Sequence, residues 1–134
     1  MMFALGMFAF SADTAPMHEL RRRTSWRHPT NPRVGRRPAG QFAGPGDDVV
    51  TITGIVADGQ LGKRQALRDL REMADTGAAW SLIDGAGEVY GAFVIEDLDE
   101  TGRHMIAEGV PRISDFTLSL RRMDDDAEPE TEAV

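Results

Sequence analysis

The chain contains no cysteine, so it has no disulfide framework and no thiolate metal site, and nothing calls for an oxidising compartment. A reducing cytoplasm suits it. Beyond the N-terminal MMFALGMFAF, long apolar runs are also missing. The opening MMFALGMFAF lacks the basic start and small-residue cleavage site of a signal peptide and is far too short to span a bilayer, so it reads as a strand and no membrane partner is expected. Net positive charge is absent as well. A formal charge of −7 argues against a general nucleic-acid binder, because phosphate affinity comes from neutralising Lys and Arg.

Recognisable catalytic and cofactor patterns are missing too. Gly85, Gly87 and Gly91 miss the dinucleotide fingerprint by one residue and sit between strands. Gly54 and Gly59 have phosphate-loop separation, but Gln60 and Leu61 stand where lysine and a hydroxyl residue are required. His18, His28 and His104 have no carboxylate or second histidine at ligand spacing, and no serine sits in a nucleophile elbow. The sharpest match is DLDETGRHMIAE, where Asp97, Asp99, Thr101, Gly102 and Glu108 fall on ligand and turn positions of a calcium-binding EF-hand loop. Its flanks, VYGAFVIE and ISDFTLSL, are β-like where an EF-hand needs helices, so the segment reads as a polar hairpin loop turning at Gly102. No enzyme activity, cofactor or metal is expected.

What is present suits one compact domain. The chain has 134 residues, 41% of them apolar, enough to repay the entropy of ordering. Residues 1–123 form the expected domain. From Asp124 the stretch DDDAEPETEAV carries six acidic side chains and no aromatic, so residues 124–134 read as a disordered acidic tail. Positive charge gathers instead in RRRTSWRHPTNPRVGRR.

Strand patterns dominate. Val50, Ile52 and Val56 alternate with Thr51 and Thr53, and Phe116, Leu118 and Leu120 alternate with Asp115, Thr117, Ser119 and Arg121. Residues 3–10 and 89–95 are apolar on both faces and need cover on both, from a second sheet, a helix or a neighbouring subunit. SLIDGAGEV holds an Asp84-Gly85 turn signal for a hairpin. In KRQALRDLREMADTG, the residues Ala66, Leu67, Leu70, Met73 and Ala74 form one helical stripe that Gly77 ends. The segment 27–45, with Pro29, Pro32, Pro38 and Pro45, reads as a long loop. The fold class is therefore α+β, a mainly antiparallel β-sandwich or barrel with one packed helix. Its expected core is Leu67, Leu70, Met73, Trp80, Tyr90, Phe93, Phe116 and Leu118.

The arginine-rich segment 21–37 has two readings. It can serve as a nucleic-acid-binding module, stacking on Trp26 and neutralising phosphates, or as an interface loop. The interface is preferred, with Arg22, Trp26, Arg27, Arg36 and Arg37 as its residues, since Trp and Arg are enriched at protein interfaces and guanidinium suits a partner's carboxylates.

Four strings then carry a resemblance: MMFALGMFAF, GQFAGPGDDVVTITG from Gly40, ALRDLREMADTGAAWSLIDGAGEVYGAFVIE from Ala66, and ETGRHMIAEGVPRISDFTLSLRR from Glu100. Phe42, Gly44, Leu70, Met73, Trp80, Asp84, Gly85, Tyr90, Gly91, Pro111, Phe116 and Leu120 agree in order and spacing. Together they resemble the GpU family of tail proteins from Peduovirus-type contractile phages, from Met1 to about Asp125. The resemblance implies a non-catalytic virion tail component needed for tail assembly. It further implies a tube-type subunit near the baseplate that forms a ring with itself, sixfold to match the tube, and meets the tube, baseplate hub and tape measure proteins. The acidic stretch after Asp125 departs from the family pattern.

Overall fold

Alternating side chains make the sheet. In strand β6 (Gly44–Val56), Asp48, Val50, Ile52, Gly54 and Val56 are buried, while Val49, Thr51, Thr53 and Ile55 stay partly exposed. The period of two places every second side chain on one face. Strand β9 (Pro111–Arg122) does the same with Ser114, Phe116, Leu118 and Leu120, and pairs with β6 so that Val50 faces Leu120 and Ile52 faces Leu118. The computed structural model describes residues 3–57, 62–105, 109 and 111–123; the acidic segment 124–134 lies outside them.

The remaining strands are β1 (Ala4–Leu5), β2 (Phe8–Ala9), β3 (Met17–Arg27), β4 (Thr30–Arg33), β5 (Arg36–Gly40), β7 (Trp80–Ile83) and β8 (Val89–Met105). Among the described residues, one antiparallel sheet of seven strands runs in the order β2-β1-β7-β8-β9-β6-β3, and β4 pairs with β5. The architecture is α+β with a mainly antiparallel sheet and a single described helix. The sheet does not close into a barrel: among the described residues β2 and β3 are its two edges.

Helix α1 (Arg64–Asp75) supplies the cover for one face, burying Ala66, Leu67, Leu70 and Met73. It connects β6 to β7, which are separated in the sheet by β9 and β8, so the helix must cross the sheet and there it packs on β8. At its end the Thr76 hydroxyl donates to the Met73 carbonyl at 2.7 Å, and Gly77 takes a left-handed φ of 72°. Trp80, Phe93, Phe116, Leu118, Leu120, Ile52, Leu5 and Leu82 complete the core beneath it. Each such side chain contributes roughly 1.5–3 kcal/mol on burial. Gly54 leaves room for a core ring: a Cβ there would lie 2.6 Å from the Phe116 ring and collide with the Pro16 carbonyl.

Three local expectations change, while the hairpin signalled at Asp84-Gly85 forms between β7 and β8. The N-terminal apolar run is two short strands rather than one, because Gly6 (φ 62°) turns the chain and lets Leu5, Phe8 and Phe10 all reach the core. The β7–β8 hairpin forms with its left-handed residue at Gly87 (φ 88°), while Asp84 accepts hydrogen bonds from the Ala86 and Glu88 amides at 2.8 and 2.9 Å. Gly102 is not a turn, since β8 continues through it to Met105 and pairs it with Ser114. The third change, in 27–45, forms the candidate site.

Candidate assembly interface

No acidic residue occurs between Glu19 and Asp47, and this stretch holds seven arginines: Arg21, Arg22, Arg23, Arg27, Arg33, Arg36 and Arg37. Its chain is a two-stranded β-arm and not a loop. Strand β9 ends at Arg122, so beyond the row of Arg23, Val49 and Arg121 strands β3 and β6 pair, among the described residues, only with each other. Trp26 opposes Pro45 and Arg27 opposes Gly44. The Ala43 amide then donates to the Arg27 carbonyl at 2.9 Å and the Gln41 amide to the Pro29 carbonyl at 3.1 Å, which carries the ladder into β4 and β5. Gly35 (φ 71°) turns the tip.

The prolines that argued for a loop sit where a ribbon tolerates them. Pro29 contributes only its carbonyl, and Pro32 falls where the β4–β5 register shifts. A ribbon of two strands has an edge on each side, so a missing donor breaks no interior ladder. From Thr24 to the tip at Val34 the arm reaches about 30 Å at the usual strand rise. Nearly every residue along it is exposed, including Trp26 at 59%, Phe42 at 60% and Val34 at 103%. The His28 and Phe42 rings lie 5.2 Å apart across the ribbon, and Arg33 Nε donates to the Arg37 carbonyl at 3.2 Å. A two-stranded ribbon without a core is marginal in water.

Arg22 is set apart from the other interface candidates. Its Nε and Nη2 donate to Asp48 at 2.9 and 2.6 Å, and its guanidinium lies 4.8 Å from the Tyr90 ring centroid. Asp48 is 6% exposed and also accepts from the Thr24 hydroxyl at 3.3 Å, with Arg122 at 3.6 Å. The Arg22 hydrogen bond holds the Asp48 carboxyl below the usual carboxylate range, against the opposing effect of burial; Arg22 charge, Thr24 and Arg122 add to the lowering. The same bond raises Arg22. Arg22 is therefore committed inside the subunit, at the root of the arm, where a groove of about 640 Å³ opens between Trp26, Asp47 and Arg122. Trp26, Arg27, Arg36 and Arg37 remain on the exposed arm. Of the core candidates, Leu67, Leu70, Met73, Trp80, Phe93, Phe116 and Leu118 are buried, and half-buried Tyr90 bridges core and arm root, packing edge-on against Phe3.

The site the sequence did not single out is the uncovered face of the sheet. Opposite the helix lie Ala4, Ala9, Ser81, Ile83, Ala92 and Val94 in one half, all partly exposed, with Val89 62% exposed. In the other half lie Thr51, Thr53, Thr117 and Ser119, flanked on the β8 side by exposed Asp97 and Asp99 and on the β3 side by exposed Arg21 and Arg23. These segments needed cover on two sides, and the described chain covers one. Glu96, Glu100 and Asp115 have arginine partners, whereas Asp97 and Asp99 have no ion pair among the described residues. Asp97, Asp99 and Thr101 lie on a strand rather than in an EF-hand loop, and Glu108 lies outside the described residues. Among the described residues no three His, Cys, Asp or Glu are grouped to hold a metal, and no helix is long and apolar enough to cross a membrane.

A sequence profile of the family described as Phage P2 GpU matches residues 6–125. A search of the curated proteins found no match.

Proposed function

Because the chain belongs to the Phage P2 GpU family, a family of phage tail proteins with a structural role in the virion tail, we propose that it is a ring-forming, tube-type subunit at the junction of baseplate hub and tail tube. The observation that carries this reading is the arm. About 20 residues of basic ribbon leave the sheet with no core of their own, which is costly in ordering entropy unless a partner surface receives them. The second support is the sheet face that is apolar in one half and uncovered.

Head-to-tail contact between arm and neighbour is heterologous, and such a contact closes into a ring when the rotation between copies permits. Sixfold closure would match a sixfold tube, with tube, hub and tape measure proteins as the remaining neighbours. Electron microscopy of tails from producing cells, with this subunit labelled, tests the placement. Rings of label at the baseplate end of the tube are expected. Label scattered along the tail, or single copies per virion, would refute it.

A further inference from the structure

We infer that the basic arm of one copy seats on the open sheet face of a second copy, with its exposed apolar residues against the half bearing Ala92 and Val94 and its arginines against Asp97 and Asp99. The inference rests on the self-assembly reading above and names the surface that reading leaves open.

Three observations carry it. The arm continues β3 and β6 past the end of β9, whereas Asp97 pairs with Ser119 and Asp99 with Thr117, further back along the same sheet. The arm therefore points away from its own open face and reaches one only on another copy. Charge is complementary on the β8 side of the face: the arm carries arginine and no acid, and Asp97 and Asp99 have no ion pair among the described residues, whereas Arg21 and Arg23 on β3 at the far edge of the same face direct the arm's arginines toward β8. Apolar character is complementary as well. Val34 and Phe42 stand exposed on the ribbon, while Ala92, Ser81 and Ala4 present only small, partly exposed side chains on the face. A two-stranded ribbon laid on a sheet face packs at ordinary sheet-on-sheet spacing.

The absence of cysteine makes the contact directly readable. One chain bearing Val34→Cys is co-expressed with another bearing Ala92→Cys, and the assembled protein is treated with a short bis-maleimide. Cross-linking between the two chain types is expected, with little within either type alone. A chain carrying both substitutions should give a ladder of covalent oligomers. In parallel, reversing Arg33, Arg36 and Arg37 to Glu should weaken self-association by about a hundredfold or more, and adding Asp97→Arg with Asp99→Arg should restore it.

If rings form but the two thiols never link and the reversed charges do not rescue, the arm docks elsewhere and only this inference falls. If the chain neither self-associates at any concentration nor enters tails, the assembly reading itself falls. Loss of binding to a single-stranded oligonucleotide on arm reversal, with self-association intact, would assign the arm to nucleic acid and overturn the inference.

Discussion

Replacing Arg22 by Ala tests whether the root of the arm is built as described. The substitution removes two hydrogen bonds of 2.9 and 2.6 Å from a carboxylate that is only 6% exposed. Leaving a buried charged acceptor short of its donors costs on the order of 1–3 kcal/mol. Two features pull the value below that of a deeply buried pair: the Arg22 side chain is 36% exposed, and Thr24 and Arg122 remain near Asp48. About 2 kcal/mol is the expected loss, a fall in melting temperature of roughly 5–10 °C for a chain of this size. Thermal melts by circular dichroism of parent, Arg22→Ala, Asp48→Ala and the double variant should give a coupling of about 1–2 kcal/mol. The pH dependence has a fixed sign. The folded carboxyl titrates below its unfolded value, so its contribution is complete above about pH 5 and is lost as pH falls below about 4, through the lowered folded value. Asp48→Asn should flatten that acid limb. If Arg22→Ala melts like the parent at pH 7, or the two single losses simply add, the arm root is not held by this pair.

The other expectations concern core, glycine and arm. Leu70→Ala and Trp80→Ala should each cost about 2–5 kcal/mol in chemical denaturation, since both side chains are at most 1% exposed beneath or within the helix-covered core. Gly54→Ala should lower stability by about 1–3 kcal/mol by forcing the Phe116 ring and the Pro16 carbonyl apart; a melt unchanged from the parent would show that this bed is not tight. Charge reversal of Arg27, Arg36 and Arg37 together should leave the monomer's melting within about 1 °C of the parent, because these side chains are exposed and no ion pair is broken, while abolishing tails in a complementation assay. Wild-type tail yields from that variant would remove the arm from assembly.

Several local features were legible without coordinates because each depends on neighbours in the chain. The stripe of Leu67, Leu70 and Met73 ending at Gly77 specifies a one-sided helix, and the alternation in β6 and β9 specifies one buried face. The arm was misread for an equally physical reason. Pro29, Pro32, Pro38 and Pro45 oppose an interior strand, and nothing local reveals that they lie in a ribbon whose edges are free to omit donors. Arg22 and Arg23 are neighbours of one type in sequence, but the pleat turns Arg22 toward Asp48 and Tyr90 and leaves Arg23 on the other face beside Val49.

The sequence by itself determined the family, through a match that runs over residues 6–125, and it determined the antiparallel character and the helix that covers the sheet, since periodicity and turn residues act over a few positions. Only the tertiary structure decided that the sheet stays open, that Arg22 belongs to the subunit while Arg27, Arg36 and Arg37 remain exposed, and that Asp97 and Asp99 share an uncovered face with Ala92 and Val94. Those outcomes depend on which strands become neighbours and where β9 stops beside β6, and such long-range register is not encoded in any short window of the chain.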